Sequence, residues 1–100
     1  MKLTDQVVKV RSKNAGPFWV TIDVFCGTDD VFNAVRAALS AERVAALYKQ
    51  PVAAMKRFEI ADICALKFSL PRPVIQGNRD DRDMHGAQYA LLLAELELDV

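Results

Sequence analysis

Two short stretches of the chain gather the side chains able to do chemistry. In "VRSKNAGPF", Arg11, Ser12, Lys13, Asn14 and Gly16 combine two cations, a hydroxyl, an amide and residue types that tolerate positive φ. A loop of that make-up can turn its backbone N–H groups into an anion nest, with Arg11 as a two-pronged clamp on a carboxylate or phosphate. The same residues also suit the C-terminal end of a helix, where cations oppose the dipole and Pro17 launches the next strand. In "RDMHGAQ", Asp83, His85 and Gly86 stand before an apolar run. Asp83 suits a helix cap, and the single histidine suits proton transfer. Asp83 and His85 are therefore the candidate catalytic pair. Arg11, Ser12, Lys13, Asn14, Gly16 and Gly86 are the candidate ligand-binding set. If both segments border the same end of the fold, they can meet over one anionic small molecule.

Other chemistries are poorly served. One histidine cannot build an ordinary zinc site, and Cys26 and Cys64 lie in apolar runs without metal-type spacing. Asp81, Asp83 and His85 imitate the start of a calcium loop, but its twelfth position is Leu92. No phosphate-binding glycine motif and no nucleophile motif occurs, so no cofactor and no metal is expected. Arg72, framed by prolines in "LPRPV", suits either a ligand or a solvated sheet end.

Thirteen basic and thirteen acidic residues cancel, which leaves no global field to gather nucleic acid or an anionic membrane. The longest apolar stretch, "YALLLAEL", is too short to span a bilayer. With no signal-like stretch and two unpaired thiols, a reducing cytoplasm is expected. One hundred residues with 52% hydrophobic content imply a single domain, 1–100, with one core. A chain of this size buries only about 60 to 65% of its unfolded surface, which makes self-association an expectation.

The elements that must position these groups follow from periodicity. Phe18 to Cys26 alternates cleanly and predicts a strand. Leu3, Val7 and Val10, with Thr4 as cap, favour a short helix ending near Arg11, while Val8 and Val10 also permit a strand. Thr28 and Ser40 are caps for two helices, "DDVFNAVRAAL" and "AERVAALYKQ", or for one helix bent at Ser40, with Pro51 as the stop. "AAMKRFEI" and "ICALKFSL" read as a hairpin, "HGAQYALLLAEL" as a helix and "ELELDV" as a closing strand. The expected fold is α+β, a ferredoxin-like split βαββαβ: an antiparallel sheet with helices on one face and a short N-terminal helix.

Four motifs, "VRSKNAGPF", "LSAERVAALY", "MKRFEIADICALKFSLPRPV" and "DMHGAQYALLLAELEL", give the chain a resemblance over almost its whole length. It resembles a small bacterial family, domain of unknown function 4387. That family is similar to the C-terminal ferredoxin-like domain of acyclic terpene utilisation proteins of the AtuA type. Arg11, Ser12, Gly16, Leu39, Glu42, Arg43, Val44, Ala65, Leu66, Phe68, Asp83, His85 and Gly86 match those domains by position. Lys13, Asn14 and Ala15 replace a Gly-Asp-Lys loop core, Lys67 a strand asparagine, and Ala87 a lysine. The resemblance implies a cytoplasmic accessory subunit of a larger AtuA-like protein, acting on carboxylic acids or coenzyme A thioesters. Two alternatives stand beside it. One is a self-associating small lyase, hydratase or isomerase, with His85 as acid or base and Arg11 as carboxylate clamp. The other is a purely structural oligomerisation module.

Overall fold

The alternation of Phe18 to Cys26 does make a strand, over Trp19–Phe25, and one strand pairs with it on each side. The computed structural model of the chain describes residues 1–72 and 88–98. Its elements are β1 (Lys9–Asn14), β2 (Trp19–Phe25), α1 (Asp29–Ala38), α2 (Ala41–Leu47), β3 (Lys56–Ile60), β4 (Ala65–Pro71) and α3 (Tyr89–Ala94). The four strands form one antiparallel sheet in the order β1-β2-β4-β3. Val20, Ile22 and Val24 of β2 pair with Leu70, Phe68 and Leu66 of β4, and all six are buried. Phe32, Val35, Leu39, Val44 and Leu93 pack over them from the helices, with Leu3 and Leu98 closing one end.

The expected caps are in place. Thr28 Oγ1 accepts from the Val31 N–H at 3.3 Å, and Ser40 Oγ from the Arg43 N–H at 3.1 Å. The polar hydroxyls satisfy N–H groups that a helix start leaves open. At the other end of α1, Arg57 reaches from β3 to donate to Leu39 O at 2.9 Å and Arg36 O at 2.7 Å. Glu59 braces it, accepting from Arg57 Nη1 at 2.6 Å and lying 3.4 Å from Arg36 Nη1.

A small α+β fold with a four-stranded antiparallel sheet, consistent with a ferredoxin-like arrangement, is what the sequence led us to expect. Two elements differ within it. The helix expected from Leu3 to Arg11 is a single 3-10 turn, Leu3–Asp5, followed by β1. Val10 lies in a pleated strand, and six pairs with β2 take up the backbone groups on that side of β1, so cross-strand pairing overrides the helical spacing. The closing strand expected at Glu95–Val100 contributes one bridge, Glu97 with Lys2, outside the sheet. Leu3 N donates to Leu96 O and Leu98 N to Met1 O, both at 2.9 Å, so the two ends of the described chain clasp each other. The fourth strand of the sheet is therefore β1.

Two glycines permit these turns in different ways. Gly16 (φ +79°) turns the β1–β2 hairpin with open space around it. Gly27 (φ +88°) leaves β2 where an added Cβ would stand 2.6 Å from Val8 Cγ2. Gly16→Ala is expected to cost about 1 kcal/mol from the left-handed backbone alone, and Gly27→Ala to cost more because Val8 must also move. Urea denaturation of both variants checks this; equal losses would remove the close approach as a cause. A second prediction concerns acid. The hydrogen bond from Arg57 foremost, then the nearby positive charges, hold the Glu59 carboxyl below its ordinary value against a smaller opposing effect of burial. A depressed folded value stabilises above the unfolded value and is lost as pH falls through the folded one. Glu59→Gln should thus narrow the stability difference between about pH 7 and about pH 3. An unchanged difference in urea midpoints would show that the contact contributes nothing.

Candidate functional site

The candidate ligand residues Arg11 to Asn14 lie on a strand, not in a loop, and the pleat divides them. Arg11 and Lys13 pair with Asp23 and Thr21 on one face of the sheet; Ser12 and Asn14 pair with Ile22 and Val20 on the helix-covered face. Gly16 stays in the hairpin turn, where Ala15 N donates to Trp19 O at 2.9 Å. Asp83, His85 and Gly86, including the proposed catalytic pair, lie outside the described residues.

On the covered face a polar corner forms where β1, β4 and α3 meet. Ser12 Oγ accepts from the Ala90 N–H at 2.8 Å, and Asn14 Oδ1 accepts from Arg72 Nη1. Arg72 is only 8% exposed; its N–H donates to Phe18 O at 2.8 Å, and its guanidinium lies 5.5 Å over the Tyr89 ring. The proline frame noticed in the sequence thus delivers Arg72 inward. A guanidinium remains charged at any working pH and offers a planar fork of donors, so the corner suits recognition of a carboxylate, not proton transfer. Tyr48 closes it by donating its hydroxyl to Tyr89 O and stacking at 6.4 Å between ring centroids. Burial pushes the Tyr48 phenol far above its ordinary value, so it stays a donor and not a base. Ser12 and Asn14 from the candidate set therefore come together with Arg72, while Arg11 and Lys13 face away.

The opposite face of the sheet carries no described helix. Lys9, Arg11 and Lys13 of β1, Lys67 of β4 and Lys56 of β3 all lie on it by register, with Asp23 as one acid among the described strand residues. Trp19, Phe25, Phe58 and Ile60 share it; Trp19 is 36%, Phe58 46% and Ile60 37% exposed. Arg11 lies 5.0 Å over the Phe25 ring with its Nε 3.8 Å from Asp23, and Lys56 lies 5.8 Å over the Trp19 ring. This surface was missed from the sequence because a neutral net charge conceals local asymmetry. Its signal was present in "KVRSKN", where every second residue is a cation.

The thiols add no reactive group. Burial pushes Cys26 up to about 11, and Cys64 is raised foremost by donating to Asp29 Oδ1 at 3.2 Å. Both are held as thiols, which are poor nucleophiles and ligands. Among the described residues no group of three His, Cys, Asp or Glu side chains could hold a metal ion, and no helix is long and apolar enough to cross a membrane.

Comparison with known proteins gives one match and two negatives. No curated protein and no solved structure matches the chain significantly. The family model described as "Domain of unknown function (DUF4387)" matches residues 3–97, a span that takes in β1, the polar corner and the open sheet face alike. The chain therefore belongs to the DUF4387 family.

Proposed function

We propose that the chain is an accessory subunit of a larger AtuA-like catabolic protein that acts on carboxylic acids or their coenzyme A thioesters. One observation carries the subunit reading: the described helices cover a single face of the sheet, and among the described residues the other exposes Trp19, Phe58 and Ile60. A half-covered sheet with exposed aromatic side chains gains from a partner that completes its second layer. The catabolic assignment rests on the four motifs that resemble AtuA-type domains in the same order. The corner of Ser12, Asn14 and Arg72 supports an anionic ligand, and in sequence the segment holding Asp83, His85 and Gly86 leads into α3, whose Ala90 N–H bonds Ser12.

A second reading has its own observation. Arg72, almost fully buried beside Asn14 and Tyr89, brings a planar guanidinium of the kind that recognises carboxylates into a corner built by one chain. The chain is then a self-associating lyase, hydratase or isomerase, with His85 as acid or base.

The two readings separate cleanly. Purification of the tagged chain from its native host should recover a longer polypeptide with AtuA-like sequence. Recovery of the chain with itself alone would sink the accessory reading. Under the enzyme reading, the isolated chain should turn over a small carboxylic acid, and His85→Ala should abolish that without changing the urea midpoint. In either case Arg72→Lys keeps the charge but loses the planar fork, and should weaken carboxylate binding by roughly tenfold or more. Calorimetric titration measures it; unchanged affinity would remove Arg72 from the ligand site.

A further inference from the structure

The open sheet face gathers positive charge. Among the described strand residues five basic side chains and one acidic one stand there, an excess of four positive charges. Asp23, the acid on the face, already has Arg11 beside it at 3.8 Å. Between the cations stand Phe58 and Ile60 on β3 and Trp19 on β2, each more than a third exposed. Aromatic side chains within a charged rim are the composition of a protein interface, and a one-signed rim selects a partner of opposite sign.

We infer that this face, made of Lys9, Arg11, Lys13, Lys56 and Lys67 around Trp19, Phe58 and Ile60, docks the chain onto a carboxylate-rimmed apolar patch of its larger partner; the inference rests on the accessory-subunit reading. Two other occupants fit less well. A second copy placed face to face would set four excess positive charges against four. A copy placed face to back would make a head-to-tail contact, which closes only at special rotations. Single-stranded nucleic acid needs open ring faces on which bases can stack. Here Arg11 already lies over Phe25 and Lys56 over Trp19, which leaves Phe58 as the uncapped ring among these three. An acidic protein surface needs no free ring face: it takes the cations as ion pairs and the apolar edges as contact area.

The test uses the full chain, tagged and expressed in its native host. Lys9→Glu/Lys67→Glu reverses two charges on the face without touching the polar corner, and Lys49→Glu reverses one exposed charge away from the sheet. Retention of the larger chain should fall at least tenfold for the double variant and stay within twofold for Lys49→Glu. Zero-length carbodiimide coupling of the wild-type complex should join Lys9, Lys13, Lys56 or Lys67 to aspartates and glutamates of the larger chain. This second measurement decides the matter should the double variant misfold. A larger chain held equally by both variants, with couplings elsewhere, would overturn the docking face and leave the accessory reading standing. If no larger chain is recovered, or if the face lysines couple to a second copy or retain nucleic acid, both fall.

Discussion

Seven consecutive cross-strand pairs between β2 and β4, from Trp19↔Pro71 to Phe25↔Ala65, constrain everything else in the molecule. They place Val20, Ile22 and Val24 over Leu70, Phe68 and Leu66, and these side chains can be buried only on one face. A slip of one residue would exchange that apolar set for Thr21, Asp23 and Lys67, so the register is strongly specified. β1 and β3 then add at the two edges and inherit the same division. Arg11 faces outward because it pairs with Asp23; Ser12 faces the core because it pairs with Ile22. The separation of the candidate residues into two groups is thus settled two strands away from them.

The two groups differ in energetic character as well as position. In the polar corner, Arg72 is almost out of water, and the Asn14 amide and the Tyr89 ring face are among the groups that meet its charge. Hydrogen bonds to charged groups contribute about 1.5–3 kcal/mol, and removing one leaves a buried polar group exposed to the full desolvation cost. That makes the corner a place of defined geometry. On the open face, half-exposed Arg11 stands 3.8 Å from the largely covered Asp23, a long contact that holds the guanidinium only loosely. The long side chains there can rearrange at little cost. Fixed geometry suits a small ligand, and adaptable cations suit a protein surface.

Particular residues explain what was legible in the sequence. Thr28 and Ser40 announced their helices because capping is a local event, settled by a hydroxyl and an N–H three residues on. β2 and β4 were equally clear, since burial of one face imposes the alternation. At β1 the helical spacing of Leu3, Val7 and Val10 favours a helix up to Arg11 although Val8 and Val10 permit a strand, and the deciding contribution, six pairs with β2, lies about ten residues away in the chain. The inward turn of Arg72 was open for the same reason: its partners Asn14 and Tyr89 are distant in sequence. Net charge misled most, because a sum over one hundred residues cannot report that five cations share one face of a sheet. Alternation in "KVRSKN" could have reported it, given the strand.

β1 ties the two surfaces together. Its six residues present Lys9, Arg11 and Lys13 to the open face and Val10, Ser12 and Asn14 to the covered one. In the described sheet it is an edge strand, paired only with β2, so its position has fewer constraints than that of the central strands. A partner seated on the open face would hold β1 through alternate residues and fix the strand whose other side carries Ser12 and Asn14. Ordering those groups in advance lowers the entropic cost of binding an anion against Arg72. By linkage an anion held in the corner would favour the docked strand to the same degree. On this physical reading the division of Arg11 from Ser12 does not break one site into fragments. It lets one short strand respond to a protein on one side and to a small ligand on the other.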